Sequence, residues 1–448
     1  MGFKSLTYLF ASVLFAAAAV PTPLAAQVAP AEGRLPSHYR VINLGTLGGT
    51  YSSGNTIDNA GVAMGNANIT GDTAGHATVW AYGLKFDLGT LGGANSTIYW
   101  PNRNDFGEFA GISEVANLDP LGEQFSCPVF FPLTGHSCVA FLTQWGVMNE
   151  LPTLGGNNSI GAGINNQGVI VGWAENNILD PTCTHPNQVL QFRAVAWGPN
   201  PDQIQELVPL PGDPDSAATA INDAGQAVGI SGICSIAIGG YSAEQMVLWE
   251  NGSPHKIPDL GGKGWNTPVV INRFGQVAGF SDRPGDVVGG VLGFNAHAFF
   301  WTRDHETQDL GVLPVPGDNT SQATGMNDFG QVIGVSFPSS HAFLWQSNKM
   351  EDLTNLVGIS NNLMLVSTGD INDRGEITGQ ACIVSGGVCG SELVAVLLIP
   401  DCDGDDSEAL SSAIAPENVN AAVTEEVREQ VARRLGLGGF ALRSSARR

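Results

Sequence analysis

Three of the eight histidines, His76, His297 and His341, recur in one setting, each followed by alanine and an apolar run that ends in tryptophan. Imidazole is a common metal ligand, but equivalent positions of a cyclic repeat are spread around its ring, so these three are not expected to converge on one ion. Their expected role is hydrogen bonding inside the repeat. Asp105, Asp213 and Asp215 are the carboxylates that a glycan-active site would draw on. Each sits in or near a turn, and none is promoted to a catalytic residue. No His-Glu-x-x-His, Gly-x-Ser-x-Gly, phosphate-cradling glycine loop or Cys-x-x-Cys pair occurs, which removes the usual support for zinc peptidase, serine hydrolase, nucleotide and zinc-ribbon chemistry. No metal and no cofactor is expected.

Asp401, Asp403, Asp405 and Asp406 surround Gly404. Hard cations take clustered oxygens, but the spacing is not that of a calcium-binding EF-hand, and the segment reads as a solvated acidic linker. The net charge of −23, from 42 acidic and 19 basic residues, repels phosphate backbones and speaks against nucleic acid as a partner.

Residues 1–26 carry Lys4, an apolar run from Leu6 to Val20 and a small-residue exit at Leu24-Ala25-Ala26. They read as a secretory signal peptide, with cleavage after Ala19 as an alternative, and no later apolar stretch is long enough for a membrane span. An extracellular or periplasmic protein, read as a monomer, is expected. Export makes the seven cysteines disulfide candidates. Cys127 and Cys138 lie 11 residues apart and Cys382 and Cys389 lie seven apart, so each pair can close a local loop. Cys183 and Cys234 follow corresponding strands of consecutive repeats, which places them on one rim and pairs them. Cys402 is left odd.

The elements that position these groups are repeats. An apolar residue, Asn or Asp, two variable residues and Gly recur at Asp58 to Gly61, Asn165 to Gly168, Asn222 to Gly225, Asn272 to Gly275, Asn327 to Gly330 and Asn372 to Gly375, with a looser copy at Asn104 to Gly107. Asn and Asp initiate turns by bonding to nearby backbone, and the closing Gly accepts a positive φ, so each copy is expected to be a structural hairpin turn. An alternating strand follows, then a strand such as His297-Ala298-Phe299-Phe300-Trp301, then a lead-in such as Asp87-Leu88-Gly89-Thr90-Leu91-Gly92-Gly93. Four strands repeated seven times predict an all-β, seven-bladed β-propeller over residues 39–400, with an open solenoid as the competing architecture.

The His-Ala-Phe segments at 297–299 and 341–343, with the Leu-Gly-Thr-Leu-Gly-Gly and Ile-Asn-x-x-Gly segments, resemble the extracellular HAF repeat proteins over roughly residues 39–400. The resemblance implies an exported repeat protein without an established activity and carries over no catalytic residue. The copy at Asn104 departs most from the pattern.

The last copy lacks a fourth strand before Pro400, while Tyr39 to Gly49 matches the lead-in strands and precedes the first turn. That segment is expected to complete the last blade and so remove free edges. Residues 27–38 read as a linker, 401–415 as the acidic linker and 437–448 as a basic tail. Residues 416–436 read as an amphipathic helix with Val419, Val423, Val427, Val431 and Leu435 on one stripe, expected to pack on the parent domain or fray, with a partner-binding helix as the alternative. Residues shared by every copy build the repeat, so function is sought where copies differ: Ser113 to Cys138, Asn176 to Gln191, Ile233 to Glu244 and Ser281 to Phe294, expected on one side. The expected function is a binding or interaction module for a protein or carbohydrate ligand. A glycan-active hydrolase or lyase in a central channel and a structural cell-surface repeat are the alternatives.

Overall fold

The computed structural model describes residues 38–102, 104–123, 127, 130–131, 134–144, 146–183, 188–234, 244–288, 291–401 and 421–435. The signal peptide, residues 27–37 of the linker, Cys402 with the acidic linker after Asp401, and the basic tail lie outside the described residues.

The fold is all-β and made of four-stranded antiparallel units. Five are separate sheets, for example Asp215–Ile221, Ala227–Gly232, Gln245–Glu250 and Ser253–Ile257 in that order. A larger sheet contains Gly48–Ile57 with the next three strands, and Leu363–Ile371, Ile377–Ser385 and Val388–Asp401; the two halves touch through one parallel pairing, Tyr51 with Leu393. The strand His38–Asn43 lies antiparallel to Val388–Asp401, with Tyr39 opposite Pro400 and Asn43 opposite Val396. It stops at Asn43 rather than running on to Gly49. Asn43 Oδ1 accepts the N–H of Gly45 at 2.8 Å and Gly45 has φ +75°, so the chain turns a corner there before the next strand starts at Gly48. The Leu-Gly-Thr-Leu-Gly-Gly segment is therefore a corner at Leu44 to Leu47, and its two closing glycines open the next strand.

The seven closing glycines of the turn motif, Gly61, Gly107, Gly168, Gly225, Gly275, Gly330 and Gly375, all have φ between 72° and 86°. The turn side chain does two jobs. In Asn165, Oδ1 accepts from the Gln167 and Val169 N–H groups while Nδ2 donates to the Asn222 carbonyl of the next copy at 3.1 Å. The same Nδ2 bond runs from Asn104 to Asn165, Asn222 to Asn272, Asn272 to Asn327, Asn327 to Asn372 and Asn372 to Asp58.

First strands carry a β-bulge, with register shifts at Gly54/Thr56, Gly161/Gly163, Ala218/Ala220, Pro268/Val270 and Ala323/Gly325. The bulge tips a carbonyl toward the second strand, where every copy has glycine. A Cβ on Gly229 would lie 2.0 Å from the Ala217 oxygen, and one on Gly65 1.9 Å from that of Ser53. The bulge also re-aims one side chain away from the sheet.

Apolar residues gather in the gaps between consecutive units. Ala110, Leu142 and Leu151 meet Ile164, Val195 and Trp197; Val228 and Leu248 meet Ile271, Phe299 and Trp301; Ala63 and Trp80 meet Ala395. Each fully buried Val, Leu, Ile or Phe among them contributes roughly 1.5–3 kcal/mol, and each alanine less. The alanine of the third strand is buried, and its N–H reaches across the gap: Ala77 to Ser96 Oγ, Ala194 to Ser216 Oγ, Ala298 to Ser321 Oγ, and Ala395 to Ser52 Oγ, at 2.8 to 3.0 Å.

Among the described residues the C-terminal helix spans Glu425–Arg434, residues 416–420 and 436 of the expected helix lying outside them, and Ala422–Val423 is a short strand parallel to Val388–Cys389. Val423 thus leaves the helical stripe because its backbone pairs with a sheet edge; Val419 lies outside the described residues. Val427 and Val431 are fully buried against Trp265, Val366 and the cysteines 382 and 389. A one-and-a-half-turn helix, Leu353–Val357, capped by Asp352, connects the strand Lys349–Asp352 to the last unit, where only a lead-in was expected.

Candidate functional site

The three histidines pair with the aspartate of their own lead-in. His76 Nδ1 is 2.9 Å from Asp87, His297 2.7 Å from Asp309 and His341 2.9 Å from Asp352. Two of those aspartates also accept the N–H two residues on, at Gly89 and Gly311. The His-Ala and Asp-Leu-Gly signatures are two ends of one cross-strand contact, and each histidine belongs to a different unit.

The disulfides are Cys127–Cys138, Cys183–Cys234 and Cys382–Cys389. Asp215 lies beside the second; the two sulfurs are bonded to each other and are not thiolate ligands, so the grouping is no metal centre.

Asp105, Asp213 and Asp215 are not brought together. Asp105 accepts the Asn59 N–H at 3.2 Å on the turn side. Asp213 accepts from Ser231 and Gln245. Asp215 is fully buried, accepts the Phe192 N–H at 3.0 Å and lies near Asp180; burial, with that neighbouring carboxyl, pushes its own carboxyl up to about 9.

The turn side holds a second bonded series made by the residue after each turn Asn or Asp. Asp105 N–H donates to Asn166, Asn166 to Asp223, Arg273 to Asp328, Asp328 to Asp373 and Asp373 to Asn59. Carboxylates there are consumed as acceptors of backbone N–H groups.

The opposite side carries the insertions, and they hold one another. Glu123 Oε1, from the first insertion, accepts the Val189 and Leu190 N–H groups of the second at 2.8 Å. The Cys183–Cys234 bond ties the second to the third, and Asn266 Nδ2 reaches the Glu244 carbonyl at 2.9 Å. Buried carboxylates anchor this side. Glu175 accepts the Asn157 and Asn158 N–H groups, and Asp282 that of Asn295; burial, with Asp286 close by, pushes Asp282 up to about 8.

At the centre of the insertion side the first strands of several units surround a cavity of about 140 Å³. The bulge residues Asn55, Thr219, Val269 and Thr324 point into it. One wall is aromatic: Trp100 packs edge-on against Tyr99 at 4.5 Å, Trp173 at 5.3 Å and Phe130 at 5.4 Å between ring centroids, with Phe192 and Phe280 alongside. Among the described lining residues no side chain is a carboxylate or an imidazole. Arg434 and Leu435, at the end of the C-terminal helix, complete the wall.

Sequence reasoning did not name these aromatics. Trp173, Phe192 and Phe280 occupy strand positions indistinguishable from core. Tyr99 and Trp100 did leave a signal: Ser52, Ser159, Ser216 and Ser321 each precede their turn residue by six positions, whereas Ser96 precedes Asn104 by eight. The irregular copy inserts two residues where others have a bulge, and those residues form the wall.

No protein-family model matches this chain, and no curated protein matches it. Similar solved structures include a streptogramin B lyase at 11% identity, covering 81% of this chain and 98% of that one with a TM-score of 0.46. Others are the β-propeller domain of the Trilobed protease from Pyrococcus furiosus (9% identity, 85% and 100% covered, TM-score 0.44) and virginiamycin B lyase from Staphylococcus aureus (12%, 81% and 99%, 0.43). At these identities and scores none of them bears on what this chain binds.

Proposed function

We propose that the chain is an exported seven-bladed β-propeller that acts as a binding module, holding its protein or carbohydrate ligand at the aromatic-walled cavity on the insertion side. Ring closure is supported by the bonds from the last copy to the first: Ala395 N–H to Ser52, Asn372 Nδ2 to Asp58 O and Asp373 N–H to Asn59. Export is supported by the three disulfides and by the leader composition of residues 1–26.

The observation that carries the binding role is the cavity's chemistry. Its volume of about 140 Å³ is close to that of an apolar cavity of about 150 Å³ known to admit benzene. It fits one ring or one side chain inserted from a larger ligand. Aromatic faces supply contact area, while Thr219, Gln322 and Thr324 supply oriented polar groups, the composition of a specific pocket.

Calorimetric titration of the mature protein against peptide and glycan panels, with product analysis of every binder, tests this. The expected result is binding that weakens at least tenfold in Trp100→Ala and is unchanged in Phe106→Ala on the turn side. Turnover of a bound ligand, or binding indifferent to Trp100, overturns it.

A further inference from the structure

One polar subsite in the cavity wall is already filled by the chain itself. The Arg434 guanidinium lies among four neutral acceptors: Nε donates to Asn55 Oδ1 at 3.2 Å, Nη1 to Ser367 Oγ, and Nη2 to the Gly54 and Thr368 carbonyls at 3.3 and 3.2 Å. Tyr99 Oη donates to the Arg434 carbonyl. Among the described residues no carboxylate lies within ion-pair distance of Arg434.

From this we infer that the cavity is a receptor for an arginine side chain of a peptide partner, and that the C-terminal helix occupies it in cis as an exchangeable stand-in. The inference rests on the binding reading above and names its ligand class. Three features carry it. The acceptors fan around the edge of a planar fork, one at Nε, one at Nη1 and two at Nη2. A compact ammonium with three donors does not match that spread. All four acceptors are uncharged, so withdrawing the arginine leaves no buried unpaired charge, only polar groups that water at a cavity mouth can satisfy. Finally, the net charge of −23 favours encounter with cationic peptides. The bond partners come from the first and last units, so the alternative is a purely mechanical latch across that junction.

The two are separated in the full-length mature protein by Arg434→Ala and N-acetyl-arginine amide. Wild type, with its own arginine in place, is expected to bind the amide at least tenfold more weakly than the variant. In the variant, N-acetyl-lysine amide and N-acetyl-leucine amide are expected to bind at least tenfold more weakly than the arginine amide, and adding the arginine amide is expected to recover part of any lost thermal midpoint. A folded Arg434→Ala protein that binds the arginine amide no better than wild type overturns the inference in favour of the latch. Should that variant not fold, Tyr99→Phe, which removes only the bond to the helix carbonyl, replaces it: several-fold tighter binding than wild type supports exchange, and unchanged binding overturns it. Binding of a neutral glycan or of the leucine amide alone overturns the arginine class while leaving the cavity a binding site. Absence of binding by every probe overturns both readings.

Discussion

Asn372 Nδ2 donates to the carbonyl oxygen of Asp58 at 3.0 Å across 314 residues of sequence. It is the last of six such bonds, and the series breaks at one point only: Asp58 has no Nδ2 to offer the Asn104 carbonyl. The companion series of backbone N–H bonds breaks elsewhere, between Asp223 and Arg273, because arginine has no acceptor. Each break is the consequence of one side chain: Asp58 lacks a donor and Arg273 lacks an acceptor.

Asp58→Asn is therefore expected to stabilise the protein. It supplies the missing donor and removes a carboxyl whose pKa burial raises. A gain of about 1 kcal/mol is expected, against a loss of about 2–3 kcal/mol for Asn372→Asp, which removes a donor and leaves a buried carbonyl unpaired. Urea denaturation of the two variants reads both signs; a destabilising Asp58→Asn contradicts the account.

Gly229 answers to a different constraint. It lies in the strand Ala227–Gly232, and a Cβ there would meet the Ala217 oxygen at 2.0 Å and the Ala218 Cα at 2.7 Å, both backbone. Gly229→Ala is expected to cost more than about 3 kcal/mol or to abolish folding. Gly71→Ala, at φ +85° with nothing within 4 Å, is expected to cost about 1–2 kcal/mol, the left-handed backbone penalty alone. Thermal denaturation of both proteins orders them.

How much was legible follows from what each residue does. The turn motif, the His-Ala strand and the disulfides Cys127–Cys138 and Cys382–Cys389 are local devices whose residue types state their purpose, and Cys183–Cys234 was legible because its cysteines follow corresponding strands of consecutive copies. The cavity is not local. Phe192 and Phe280 sit in strands that read as core, and whether such a side chain faces a neighbouring unit or a central space is decided by bulge and curvature. Arg434 reads in sequence as a cation suited to a helix C-terminus. Its contacts with Gly54 and Asn55 depend on how residues far apart in sequence meet.

Buried carboxyls give the stability a pH slope. Asp215 is pushed up to about 9 and Asp282 to about 8, from ordinary values near 3.8. Between pH 4 and those values the unfolded chain has lost these protons while the native protein keeps them, so unfolding releases protons and stability falls as pH rises. Asp215→Asn keeps an acceptor for the Phe192 N–H and cannot ionise. Relative to wild type it is expected to be nearly neutral at pH 4, and more stable by about 1–3 kcal/mol at pH 8. Urea midpoints at pH 4, 6 and 8 measure the slope, and a wild-type stability that increases over this range contradicts the assignment.

The disulfides close loops of very different length, 51 residues for Cys183–Cys234 and seven for Cys382–Cys389. Loop-closure entropy assigns about 4 kcal/mol to the first and about 2.4 kcal/mol to the second. The double variant Cys183→Ser with Cys234→Ser is accordingly expected to lose about 1–2 kcal/mol more than Cys382→Ser with Cys389→Ser. The native contacts press the other way: Cys382 and Cys389 are both fully buried beneath Val427 and Val431, whereas Cys183 is only half-buried. Thermal denaturation of the two double variants decides between these terms. If the 382–389 variant is the less stable, packing under the C-terminal helix outweighs the constraint on the unfolded chain.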